Sequence, residues 1–108
     1  MALSQSNEID LIGISNRSDE CILTIVDDEP WEDIPDHLER LQKKLNAYLA
    51  FVESGELLSK YPSAKGRKVA FGILHAYPLP EEGRGFLERA AQVIEGSGFR
   101  LEWEPLPA

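Results

Sequence analysis

Two runs of alternating apolar and polar residues near the start of the chain predict a β-hairpin. The segments EIDLIGIS and ECILTIVD carry Ile, Leu and Val at strand spacing, and the turn-rich stretch SNRSD separates them. Short β-branched runs on either side of such a connection are typical of two paired antiparallel strands. Gly13 lies inside the first run and predicts a bulge or a close backbone approach there.

The longest periodic segment follows and predicts an amphipathic helix. Its apolar positions recur at steps of three and four from Ile34 to Val52. That spacing places them on one helical face over about five turns. Asp33 precedes the face as the predicted N-cap, and Gly55 is the predicted stop after the last turn.

The second half of the chain predicts a strand, a helix and a further strand. KVAFGILHAY is apolar or small on both faces, which is typical of a central strand. PLPEE is a typical helix opening, and GSG closes the predicted helix. FRLEWE alternates strictly between apolar and charged residues, which indicates a half-buried strand.

The resulting order, β-β-α-β-α-β, predicts an α+β fold with two helices packed on one face of a four-stranded mixed sheet. We expect a single domain over residues 1–108, with a short flexible N-terminus at 1–7 and a C-terminal tail at 105–108. The second sheet face stays partly open in this arrangement. Small residues on the third strand would suit the close approach of another layer, including a second copy of the chain.

Charge and composition narrow the function. A net charge of −8 argues against nucleic-acid binding and against docking on anionic membranes, because both need a basic surface. The absence of a signal peptide and of any run of about 20 apolar residues predicts a cytoplasmic protein that does not span a membrane. The single cysteine, Cys21, excludes an internal disulfide and is expected to be a buried, inert thiol.

The stretch VDDEPWEDIPDHLE concentrates seven carboxylates without any lysine or arginine. It lacks the glycine and ligand spacing of a calcium loop and the His or Cys cluster of a zinc site, so we expect no metal and no cofactor. The helix dipole accounts for the acidic residues at the helix start but not for those before it. This surplus, beside a tryptophan, predicts a contact surface for a basic protein partner, formed by Asp27, Asp28, Glu29, Trp31 and Glu32.

Other interpretations stay open at this point. The acidic stretch could be a solvated loop with Trp31 tucked under the helix. It could also meet the basic stretch from Lys60 to Lys68 of a second copy, which would give a homodimer. No catalytic constellation is recognisable, so we expect a non-enzymatic protein-binding module, inhibitor-like or immunity-like by analogy. One alternative is a small enzyme or ligand-binding protein that uses His75 with Tyr77, Glu102 and Trp103 on the open sheet face. A further alternative is a homo-oligomeric structural protein in which a second copy covers the open sheet face.

The chain also carries a family resemblance, which spans most of its length. The segments NAYLAFVESG and YPSAKGRKV, together with YPLPEE and WEDIPDHL, resemble a family of short bacterial proteins known only as a domain of unknown function. The resemblance implies a small cytoplasmic α+β protein. It implies no activity, cofactor or site residues.

Overall fold

The helices and strands follow the predicted order β-β-α-β-α-β, with one additional short helix directly after the long first helix. The computed structural model describes residues 9–107, so the predicted flexible segment 1–7 lies outside the described residues. A 3₁₀ turn, Pro62–Ala64, follows the second helix. The elements are β1 Leu11–Ile14, β2 Cys21–Asp27, α1 Ile34–Glu53, α2 Glu56–Lys60, β3 Val69–His75, α3 Glu81–Gly96 and β4 Arg100–Pro105.

The four strands form one mixed sheet in the order β1-β2-β3-β4. β1 pairs antiparallel with β2, whereas β2, β3 and β4 are parallel to one another. Two successive crossovers, one through α1 and one through α3, therefore run in the same direction along the sheet. Crossovers of the same hand then pass over the same face, which confirms the predicted α+β architecture.

The core fills the space between the sheet and the helices. Alternate residues of β2 and β3 face the helices and are buried, and the helices contribute side chains at helical spacing. Burial of this apolar area is the main force that holds the helices on the sheet. The most deeply buried apolar side chains include Cys21, Leu23, Ile25, Leu41, Tyr48, Phe71, Ile73, Leu87 and Ile94.

The ends of α1 are set by local sequence, as predicted. The side chain of Asp33 accepts a hydrogen bond from the backbone N–H of Asp36 at 3.1 Å, which caps the first turn. At the other end Gly55 has a φ of +88°, a left-handed conformation that glycine adopts without strain. The chain can therefore leave α1 and enter the short helix α2 directly.

One sequence prediction about strand detail is wrong, and one predicted boundary differs from that of the structure. Gly13 forms no bulge, because β1 and β2 stay in continuous register from Leu11 opposite Thr24 to Ile14 opposite Cys21. The predicted tail at 105–108 begins inside the sheet, since Pro105 is the last residue of β4 and the N–H of Leu106 donates to the His75 carbonyl at 2.8 Å. None of the helices in residues 9–107 is long and apolar enough to cross a membrane.

Candidate functional site

Two polar side chains end neighbouring parallel strands at the carboxyl edge of the sheet. Asp27 closes β2 and His75 closes β3, and the two are register partners. Ligands of α/β sheets usually bind at this edge, in a crevice where the strand order reverses. Here the parallel strands follow one another in chain order and both crossovers pass over one face. The described sheet therefore has no reversal point at which such a crevice would open.

A buried pair joins the end of β2 to the first turn of α1. The Oδ2 of Asp27 lies 2.6 Å from Nε2 of His37, and both side chains are 1% exposed. The Nδ1 of His37 lies 3.2 Å from the carbonyl oxygen of Pro30, so both ring nitrogens face oxygen acceptors. A neutral imidazole has one N–H, whereas the protonated ring donates to both acceptors at once. The doubly protonated ring is therefore the form that satisfies both acceptors.

Trp31 covers this pair. Its ring stacks on the imidazole of His37 with centroids 3.7 Å apart and planes 7° from parallel. The far edge of the indole lies against α3 at Gly83, where an added Cβ would approach Cη2 of Trp31 to 3.0 Å. Glycine is thus the residue that lets the tryptophan fit between the two helices. The indole Nε1 is buried without a hydrogen-bond partner in residues 9–107, which marks Trp31 as an apolar cover.

A cation on α1 engages two more acidic residues of the same region. Arg40 donates through Nη1 to Glu29 and through Nε to Oδ2 of Asp36 at 3.0 Å. The hydrogen bond with Glu29 raises the pKa of the Arg40 guanidinium, with burial acting in the opposite direction. Glu29 is therefore tied back onto α1.

The structure thus corrects the predicted acidic contact surface. Asp27 lies inside the protein, Glu29 is engaged by Arg40, and Trp31 packs over His37. Of the five predicted residues, Asp28 and Glu32 are the exposed ones. The expectation that these carboxylates face water together is wrong, because the loop folds back over the start of α1. The alternative of Trp31 tucked under the helix describes its position more closely.

Sequence reasoning missed the residues that organise this region, His37 and Arg40. A signal was present in the spacing of α1. His37, Leu41, Lys44 and Tyr48 follow one another at steps of four, three and four, and all are buried. Two ionisable residues on a buried helical stripe require buried partners, and this requirement would have pointed to the acidic residues at the strand ends.

The second polar residue of the stripe, Lys44, ties α1 to the start of β1. Lys44 is fully buried, and its Nζ lies 2.9 Å from Oδ1 of Asp10. The Oδ2 of Asp10 accepts the N–H of Val26 at 3.0 Å, and the N–H of Asp10 donates to the Tyr48 hydroxyl at 2.8 Å. The Tyr48 hydroxyl in turn donates to the Thr24 carbonyl at 3.2 Å, and burial raises the pKa of Tyr48. This network fastens the hairpin to the helix.

The alternative site around His75 does not assemble. His75 is 7% exposed and belongs to the helix-covered face, with its Nδ1 donating to the Tyr77 carbonyl at 2.9 Å. Glu102 lies opposite Gly72 and so points to the other face, while Trp103 lies opposite Ile73. The prediction that His75 lies on the open sheet face is therefore wrong. No cluster of three or more metal-ligating side chains occurs among the described residues.

The open face of the sheet carries a shallow groove instead. Gly72 lies at its floor in the middle of β3, and an added Cβ would meet Thr24, Ile22 and Glu102 at 3.4–3.9 Å. The side chains of the flanking strands thus rise on both sides of a strand that has none at this point. The groove measures about 190 Å³ and is lined by Ile22, Thr24, Gly72, Ile73, Leu74, Glu102, Trp103 and Glu104.

The family of the chain follows from a sequence profile. The profile of DUF6572, described as a family of unknown function, matches residues 1–107. The chain is a member of DUF6572. The resemblance to a family of unknown function is thereby confirmed. Neither a curated protein nor a solved structure gave a match. DUF6572 membership carries no activity or ligand with it, so the function of this DUF6572 protein has to be inferred from its own contacts.

Proposed function

We propose that the protein is a non-enzymatic protein-binding module whose partner docks on the open face of the sheet. The observation that carries this proposal is the uncovered face of a largely parallel sheet. Parallel strands are nearly always covered on both faces, and their apolar residues then face both ways. β2 and β3 have this composition, but the described residues cover only one face. A partner would supply the missing layer.

The chemistry of the open face defines the partner. Ile22, Val26 and Leu74 present half-buried apolar side chains along its centre, and Leu11 is 53% exposed at one side. The β4 side carries Arg100, which pairs with Glu102 at 2.7 Å, and the exposed Glu104. An amphipathic segment with apolar residues and flanking Lys or Arg would match both features. A second copy carries the same net charge of −8, whereas a basic partner has the opposite charge, which favours a basic partner here.

The net charge of the protein increases the rate at which it meets a basic partner, rather than the fit between the two surfaces. At −8 the protein attracts a basic partner over several ångströms before contact, and the exposed Asp28 and Glu32 add to this field. The proposal includes a cytoplasmic location and an inhibitor-like or immunity-like process. Both are supported only by analogy with other small acidic binding modules and by a single cysteine that cannot form an internal disulfide.

Site-specific photo-crosslinking in the native host tests the proposal. A benzoylphenylalanine at Leu74, in the wall of the groove, is expected to give a discrete adduct with one partner. The control places the same group at Val93, which is 67% exposed beside a second apolar groove between α1 and α3. Glu104→Gln should weaken the adduct at Leu74, whereas Glu88→Gln on α3 should leave it unchanged.

The outcomes separate the possibilities. An adduct at Leu74 that depends on Glu104 supports docking on the open face. An adduct at Val93 alone would place the partner on the helical side and reject the proposed surface. Absence of adducts from both positions, with the protein folded by circular dichroism, would reject the protein-binding function itself.

A further inference from the structure

The two edges of the sheet differ in their protection. β4 carries Arg100, Glu102 and Glu104 and ends in Pro105, and charges and proline are the usual devices that prevent edge strands from pairing. β1, with the sequence LIGI, has neither a charged residue nor a proline, and its regular register contains no bulge. Within the described residues β1 has β2 as its only strand neighbour. The outer side of β1 is therefore an edge that lacks these features and is open to pairing with another strand.

The hydrogen-bond pattern shows which backbone groups face outward. The N–H of Ser15 donates to the Glu20 carbonyl at 2.8 Å, so Ser15 faces the neighbouring strand. Because residues of an antiparallel ladder alternate in direction, Gly13 also faces β2. The N–H and C=O groups of Ile12 and Ile14 consequently point away from the sheet. Ile12 and Ile14 thus each present one backbone donor and one backbone acceptor to a strand that would pair with this edge.

We propose that a second copy of the chain pairs with this edge in antiparallel fashion, about a two-fold axis through Gly13. Ile12 then lies opposite the second copy's Ile14, and the reverse holds by symmetry. Both are outward-facing residues, so each such pair exchanges two N–H···O=C bonds. Because the same edge of both copies forms the contact, the result is an isologous, closed dimer.

Side-chain parity selects this register. Ile12 and Ile14 lie opposite Leu23 and Cys21, so both point to the helix-covered face. Directly opposed residues of an antiparallel pair share a face. A shift of the register by one residue would therefore place each isoleucine opposite a residue that belongs to the open face of the second copy. An axis through Gly13 keeps the isoleucines together and places both helical layers on the same side of an eight-stranded sheet.

An axis through Gly13 also allows the two β1 strands to approach each other closely. Opposed residues that do not exchange hydrogen bonds approach to a Cα separation of about 4.5 Å, the closest contact in an antiparallel ladder. Gly13 occupies this point, and nothing lies within 4 Å of the position a Cβ would take. Two glycines facing each other can adopt this separation without a side-chain clash.

The charges beside the edge do not oppose pairing. In this register Asp10 lies opposite the second copy's Asn16, and the Asp10 carboxylate is already engaged by Lys44 at 2.9 Å. Like charges are therefore not brought face to face at the contact. The net charge of −8 per chain still repels the second copy at long range, and salt screens this repulsion. The dimer should strengthen as the salt concentration rises.

Sedimentation equilibrium of the full-length protein at low and high salt tests the proposal. We expect a monomer–dimer equilibrium that shifts toward dimer with salt. Gly13→Lys places two like charges at the axis without filling any occupied space, and it should weaken the dimer at least about tenfold. Gln92→Lys, on the exposed side of α3, makes the same charge change away from the edge and should leave the dimer intact.

Disulfide crosslinking provides a second readout, because oxidation traps the dimer through the contact itself. Opposed Cα atoms at about 4.5 Å fall within the range that a disulfide spans. Gly13→Cys in a Cys21→Ala background should therefore oxidise rapidly to a disulfide dimer, whereas Gln92→Cys in the same background should not. A wild type that stays monomeric at all concentrations would overturn the proposal. A dimer that is indifferent to Gly13→Lys would overturn it equally, since its contact would lie elsewhere.

Discussion

Replacing His37 by leucine would leave the Asp27 carboxylate buried with one of its two hydrogen-bond partners. The remaining partner is the N–H of Glu29, which donates to Oδ1 at 3.2 Å. The Oδ2 would lose the imidazole nitrogen that now lies 2.6 Å away. Because Asp27 is 1% exposed, water cannot take the place of the lost donor. The substitution thus measures how much the fold depends on this pair.

The expected cost is large for a single substitution. Removing one partner of a buried ionic pair typically lowers the free energy of unfolding by about 3–5 kcal/mol, because the other charge stays buried and uncompensated. Domains of this size are stable by only about 5–15 kcal/mol in total. His37→Leu also removes the ring on which Trp31 stacks. We therefore expect a loss at the upper end of that range.

A second substitution separates the buried charge from the lost packing. Asp27→Asn alone should destabilise the protein by about 1–2 kcal/mol, since a neutral amide replaces a charge-assisted hydrogen bond. In the His37→Leu background the same change should stabilise the protein by at least about 1 kcal/mol, because it removes the uncompensated charge. The sign of the effect of Asp27→Asn therefore reverses between the two backgrounds.

Urea denaturation followed by far-ultraviolet circular dichroism is the appropriate assay, since tryptophan fluorescence would report the lost Trp31 contact itself. Asp28→Asn is the matched control, because its side chain is the exposed neighbour and its effect should stay within about 0.5 kcal/mol. If the effects of the two substitutions simply add, Asp27 and His37 are not coupled and the reasoning fails. If His37→Leu does not fold alone, the double variant is expected to regain the native spectrum.

Two further predictions concern single positions in the core and at a helix start. Gly85→Ala should stabilise the protein by up to about 1 kcal/mol through helix propensity, whereas Gly83→Ala should give no gain or a loss, because its Cβ would meet the stacked Trp31 at 3.0 Å. Thermal unfolding of the two variants measures this difference, and equal gains in stability would contradict the packing of Trp31 against Gly83. Burial raises the pKa of the Cys21 thiol, so its contribution to stability is complete below the ordinary thiol pKa of about 8.5 and declines as the pH rises above it. The wild type should therefore lose more free energy of unfolding than Cys21→Ala between about pH 8 and pH 10, and equal losses would argue that the thiol is accessible.

The residues of the candidate site show where sequence reasoning stops. The parity of β3 shows that Phe71, Ile73 and His75 share a face, but it does not say which face the helices cover. That choice depends on the direction in which the crossovers pass over the whole sheet. The strand pattern alone therefore allows His75 to lie on either face. Likewise, the spacing of α1 shows that His37 and Lys44 lie on one stripe, but their carboxylate partners come from strands elsewhere in the chain.

The sequence by itself determined the four strands, the two long helices, their order and the ends of α1. These features depend on periodicity and on groups a few residues apart, such as the Asp33 cap and the left-handed Gly55. Only the tertiary structure decided that the acidic loop folds inward. Burying Asp27 requires His37 from α1 and a cover from Trp31, and Trp31 fits only because α3 offers Gly83. Such a contact unites three segments, so no local pattern encodes it.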